Sequence, residues 1–152
     1  MSVMRSRTVL LVEDDVLLRE CIGEMLGDAG WRVAGAANAL EAFDWMNARG
    51  MPDALVTDLR LGHGMSGLAL IAEARRRWPQ LCAVLISGGD GAGLRLHPGD
   101  RFLGKPFSMG KLLQVVMEVT EEPVSVLGAW CLVSCPTTIQ SKVSGRDRGR
   151  SQ

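Results

Sequence analysis

Short apolar runs alternate along the chain with stretches whose apolar residues recur every three or four positions, and that alternation sets the predicted secondary structure. Thr8–Val12 is a β-branched, apolar run that stops at three acids, Glu13, Asp14 and Asp15, and it reads as a buried strand. Leu17, Leu18, Cys21, Ile22, Met25, Leu26 and Ala29 then follow helical spacing, with Gly30 where a helix-ending glycine belongs. Residues 31–36 form a weaker strand. Leu40, Phe43 and Met46 mark a second helix that Gly50 and Pro52 stop. Residues 54–57 form a strand ending at Asp58, and Gly62, Gly64 and Gly67 punctuate the loop after it. Leu68, Ile71 and Ala72 carry a third helix to Pro79, with Arg75, Arg76 and Arg77 in its last turn, where cations suit the helix dipole. Residues 82–86 form a strand ending at Ser87. Phe102 and Leu103 form a last strand before Lys105, and Ser108 is placed to cap a helix carrying Leu112, Leu113, Val116 and Met117.

Five strands alternating with helices predict an α/β fold, a doubly wound parallel sheet covered on both faces. Right-handed crossovers leave few ways to wind it. Ligands of such sheets sit outside the carboxyl ends of the strands. Here those ends carry Asp14 and Asp15, Asp58, Ser87 and Lys105, so the charged and hydroxyl residues collect where the fold builds its site.

Composition narrows the function. The chain has 152 residues, 47% hydrophobic and 22% charged, which suits one globular domain. Its formal net charge is zero, which argues against binding DNA or anionic lipid through general electrostatics. Cys21 and Cys82 lie in apolar periodic segments and read as buried thiols; no Cys-x-x-Cys pair suggests zinc. The first apolar run is cut short by Glu13, so no signal peptide is read and a cytoplasmic location is the expectation. Trp31, Trp45 and Trp78 read as packing residues, and His63 and His97 as solvated loop residues.

The strand-end constellation has a chemistry of its own. Carboxylates gathered at one sheet edge repel one another, and a divalent cation that seeks oxygen relieves the repulsion; Mg2+ accepts a few carboxylates together with water and phosphate oxygens. A lysine opposite would neutralise a phosphoryl group as a point cation. A carboxylate can itself be a nucleophile and form an aspartyl phosphate. Asp58 is the better nucleophile candidate, because Asp14 and Asp15 are adjacent and suit metal duty.

The strand ends at Asp14-Asp15, Thr57-Asp58 and Ile86-Ser87-Gly88, with the turn Lys105-Pro106-Phe107, resemble the receiver domains of response regulators. The segment from Asp58 to Gly67 is similar to receivers of hybrid histidine kinases. The resemblance covers about residues 8–118 and implies a flavodoxin-like sheet in the order 2-1-3-4-5. It implies that Asp58 accepts a phosphoryl group from a histidine kinase or histidine phosphotransfer protein, and that Asp15 binds Mg2+ with Asp14 close by. The third protein ligand would be the backbone carbonyl of Arg60. Lys105 would bind phosphate, Ser87 and Phe102 would be the switch hydroxyl and switch aromatic, and Pro106 would follow a cis peptide bond. The expected function is a stand-alone receiver at residues 5–119 that switches protein–protein contacts with a downstream protein the sequence does not name. No turnover enzyme, direct DNA binding or membrane span is expected, and a homodimer is allowed.

Between Ser87 and Lys105 the chain departs from that family. Residues 88–100 are rich in glycine and broken by Pro98, so the fourth helix is expected to be short or disordered. Family members often use that helix to bind partners, which keeps a second reading open: an interaction module that no longer uses phosphorylation. A haloacid-dehalogenase-like phosphatase would need Asp-x-Asp after the first strand, and a flavodoxin a phosphate loop in place of Glu13-Asp14-Asp15; neither is present. Residues 120–152 form a tail without a recognisable output domain. Its stretch 123–141 contains no charge, is too interrupted to span a bilayer, and holds Trp130, Cys131 and Cys135.

Overall fold

A computed structural model describes residues 7–62, 64–89, 91 and 93–121. The expectations for His63 and for the tail with Trp130, Cys131 and Cys135 lie outside these residues. Among the described residues nine elements follow in order: β1 (Thr8–Val12), α1 (Val16–Asp28), β2 (Arg32–Ala36), α2 (Ala39–Arg49), β3 (Ala54–Asp58), α3 (Gly67–Arg77), β4 (Ala83–Ser87), β5 (Arg101–Gly104) and α4 (Met109–Glu121). The five strands form one parallel sheet in the order β2-β1-β3-β4-β5, as the resemblance implied.

The apolar runs of β1, β3 and β4 are continuous because these strands are buried on both faces. Period-two alternation divides them between two cores. Leu10, Val12, Leu55 and Leu85 pack with Met46 of α2 and Leu70 and Ile71 of α3. Val9, Leu11, Val56, Val84 and Ile86 pack with Ile22 and Leu26 of α1 and Leu112 and Val116 of α4. Helices therefore cover both faces, and the strand ends are the place left for polar groups.

Each helix begins on a short polar side chain that accepts a backbone N–H otherwise left unbonded. Asp15 accepts from Leu18, Asn38 from Glu41, Ser66 from Ala69, and Ser108, as predicted, from Lys111. Gly30, at φ 103°, follows the cap of α1 in a conformation that favours glycine. The two thiols correct the sequence reading. Cys21 is exposed and Cys82 half-buried, because the face of α1 turned to the sheet runs through Ile22 and Leu26 and leaves Cys21 about 100° to the side.

The crossover from β4 to β5 contains no helix among the described residues. Leu94 and Leu96 instead lie against the first core together with Phe102. The Phe102 ring packs so closely under Gly91, at φ 73°, that a Cβ there would meet its Cζ at 2.8 Å. At its far end the strap is fastened by Asp100, a buried residue whose carboxylate takes two hydrogen bonds from Arg75 of α3, at 2.7 and 3.1 Å. Arg75 also donates to the Leu81 carbonyl at 2.7 Å. No helix among the described residues is long and apolar enough to cross a membrane.

Candidate functional site

Strand register brings the polar ends together. Val12 pairs with Thr57, Asp58 with Ile86, and Ser87 with Gly104, so the residues that follow β1 and β5 meet Asp58 and Ser87 at one edge of the sheet. Asp58 is only 7% exposed, yet it lines an open cleft of about 560 Å3 with Arg60, Ser87, Gly89, Gly91 and Lys105. Both of its oxygens are held. The Arg60 amide donates to Oδ1 at 3.1 Å, and the Lys105 ammonium donates to Oδ2 at 2.6 Å. The Lys105 amide is itself fixed to the Ser87 carbonyl, and the Lys105-Pro106 peptide is cis, as the resemblance implied. Ser87 accepts a hydrogen bond from the Gly89 amide through its Oγ. Phe102 is half-buried beside this cleft, under Gly91.

The acid that faces Asp58 differs from the one read from the sequence. Carboxylate oxygens of Glu13, Asp14 and Asp58 lie within 4.8 Å of one another. Asp15, the residue expected to hold Mg2+, points its carboxylate to the start of α1 as the cap. The reason lies in the spacing. Helix α1 begins at Val16, so the residue before it takes the cap and the two acids before that turn toward the sheet. Glu13 was visible as one of three consecutive acids; the signal that selects it is the cap preference of Asp15 for the first turn. Gly67 was also missed as more than loop punctuation. A Cβ on it would fall 2.1 Å from the Asp58 carbonyl oxygen and 2.9 Å from Thr57 Oγ1, so only glycine lets α3 start this close under the end of β3.

The electrostatics follow from burial and crowding. Burial pushes the Glu13 carboxyl up from 4.5 to about 7; the charge of Asp58 adds to this, against the pull of the Asp15 amide and of Lys105. For Lys105, burial alone would lower the ammonium. Its hydrogen bond to Asp58 and the attraction of Asp58, Glu13 and Asp14 outweigh that and hold it above its ordinary value. Three acid side chains against one ammonium, at 2.6 Å from Asp58 and 4.0 Å from Glu13, leave an excess of negative charge. An all-oxygen donor set of this kind fits a small hard dication.

Comparison with known proteins gives the chain its family. A family model described as the response regulator receiver domain matches residues 9–117. The phosphoglycerate transport system transcriptional regulatory protein PgtA of Salmonella typhimurium is 28% identical over 149 residues, 95% of this chain and 35% of that protein. The sensor kinase CckA of Brucella abortus is 35% identical over 122 residues, 77% of this chain and 13% of that protein. The chain thus spans about a third or less of these relatives. The structure of the non-phosphorylated HemR receiver domain from Leptospira biflexa superposes with a TM-score of 0.70 at 30% identity, covering 78% of this chain and 97% of that one.

Proposed function

The chain belongs to the response regulator receiver domain family, and from that premise we propose that it signals by accepting a phosphoryl group onto Asp58. The donor would be a phosphorylated histidine of a kinase or phosphotransfer protein. An Asp58 oxygen attacks phosphorus, the phosphorus–nitrogen bond breaks, and the imidazole leaves with its nitrogen reprotonated. The product is an acyl phosphate on Asp58, which water later cleaves. The observation that carries this reading is the 2.6 Å contact of Lys105 with Asp58 in an open cleft beside two further acids.

Each residue has a task in that transfer. Lys105 holds one carboxylate oxygen and, as charge builds on the transferred group, offers its ammonium to a phosphoryl oxygen. The Arg60 amide orients the other oxygen. Ser87 spends an acceptor position on Gly89, so its own proton can turn to a phosphoryl oxygen. Glu13, Asp14 and Asp58, with the Arg60 carbonyl, would hold Mg2+, which supplies positive charge beside the phosphoryl oxygens. Asp15 stays with α1 as its cap. Phe102, packed under Gly91, would pass a change at Ser87 to a protein partner.

Incubation of the chain with acetyl phosphate and Mg2+, followed by intact-mass measurement, tests the reading. A gain of one phosphoryl group is expected, absent with chelator or in Asp58→Asn. No gain in the parent protein would favour a module that works without phosphorylation, a reading supported by a β4–β5 crossover that holds no helix among its described residues.

A further inference from the structure

At the opposite end of the sheet lies a second cleft, of about 530 Å3, which the phosphoryl chemistry does not use. It forms where strands begin rather than end. Thr8 of β1 pairs with Arg32 of β2, and α2 finishes nearby on Arg49, a cation suited to a helix C-terminus. Gly50, at φ 94°, ends the helix and the chain returns through Met51 and Asp53 to β3. Arg32, Arg49, Trp45, Met51, Thr8 and Asp53 line the space. Two guanidiniums in the lining face one carboxylate, and Asp53 commits Oδ2 to the Thr8 amide at 2.8 Å. Neither Arg32 nor Arg49 makes a salt bridge among the described residues, although the chain forms such pairs elsewhere. Both are exposed, and Trp45 is half-buried and packs against the first core.

We propose that this cleft binds a small anion bearing a flat ring, a nucleoside monophosphate in class. The chemistry of the lining selects both halves of such a ligand. Guanidinium groups match phosphate oxygens with paired donors and lose less hydration than ammonium groups would. An indole wall stacks on a base through its π face, with little preference among bases. The volume lies within the range of sites for small organic ligands. A site of this kind would sit one strand length, about 16 Å, from Asp58, far enough to be occupied independently of phosphorylation.

The test is calorimetric titration of the full chain carrying Asp58→Asn, with chelator present, so that the acidic site recruits no metal-bound nucleotide. AMP is expected to saturate with a dissociation constant below about 1 mM. Adenosine alone and inorganic phosphate alone bind about tenfold more weakly, since each meets half of the lining. Arg32→Gln and Arg49→Gln each weaken AMP about tenfold, and Trp45→Leu about fivefold, with unchanged melting. If an arginine variant fails to fold, Met51→Glu, at a position 43% exposed, adds an acid to the lining and must weaken AMP in a folded protein. No saturable AMP binding below about 10 mM overturns the proposal. So does AMP binding that survives the double arginine variant, or phosphate binding as tight as AMP.

Discussion

Replacing Glu13 with glutamine tests the electrostatics of the acidic cluster at its most crowded point. In an unfolded chain this glutamate releases its proton near 4.5, whereas in the folded site burial holds it to about 7. Between those values the folded state carries more protons than the unfolded one, so stability falls as pH rises through the window and the loss is complete above it. At about 1.4 kcal/mol per pH unit, the interval from 4.5 to about 7 corresponds to a loss of about 3 kcal/mol. The side chain is 3% exposed, so water screens little of this. Glutamine keeps the shape and cannot ionise. Urea unfolding with chelator, near about pH 5 and near about pH 8, should show the parent losing most of that energy while Glu13→Gln does not, leaving the variant the more stable protein at the higher pH. Mg2+ should recover much of the loss in the parent and should stabilise the variant less, because the variant lacks one carboxylate. Parallel pH profiles for the two proteins, or a variant weaker at about pH 8, would refute the assignment of the burden to Glu13.

Three further substitutions probe the frame around the site. Gly67→Ala forces a Cβ against the Asp58 carbonyl oxygen at 2.1 Å; it should cost about 2–4 kcal/mol in chemical unfolding and slow phosphorylation by acetyl phosphate, because the end of β3 must move. Gly91→Ala strains a positive-φ position and pushes on the Phe102 ring; the loss should be about 1–3 kcal/mol, and a double-mutant cycle with Phe102→Leu should show coupling of at least about 0.5 kcal/mol. Asp100→Ala leaves the Arg75 guanidinium, 16% exposed, without its carboxylate and should cost about 3 kcal/mol, whereas Arg75→Met combined with Asp100→Leu should cost less than the single change.

Much of this molecule can be read from its chain because both periodicities are unbroken. β3 and β4 are continuous apolar runs since both faces are covered, and Ser108 and Gly30 mark helix ends by local chemistry alone. Asp58, Ser87 and Lys105 were legible because each directly follows or ends a strand, and a parallel sheet gathers such ends. Glu13 was not, since three consecutive acids differ only in which way the backbone turns, and that depends on where α1 starts. Cys21 misled because one residue of rotation on a helix separates a buried face from an exposed one. The role of Gly67 was hidden because the contact it permits, with the Asp58 carbonyl, joins two elements and leaves no mark in either alone.

The zero net charge belongs to the whole sequence; residues 1–122 hold 16 Asp and Glu against 13 Lys and Arg, with Glu13, Asp14 and Asp58 at one end of the sheet and Arg32 and Arg49 at the other. A particle with separated poles feels a torque in a field, whether or not it also carries a small net charge. A charged protein approaching within a screening length, about 8 Å in physiological salt, would turn this domain before touching it, presenting the acidic pole to a basic surface. Encounter with such a protein should therefore slow as salt is added, although the formal charge of the whole sequence is zero.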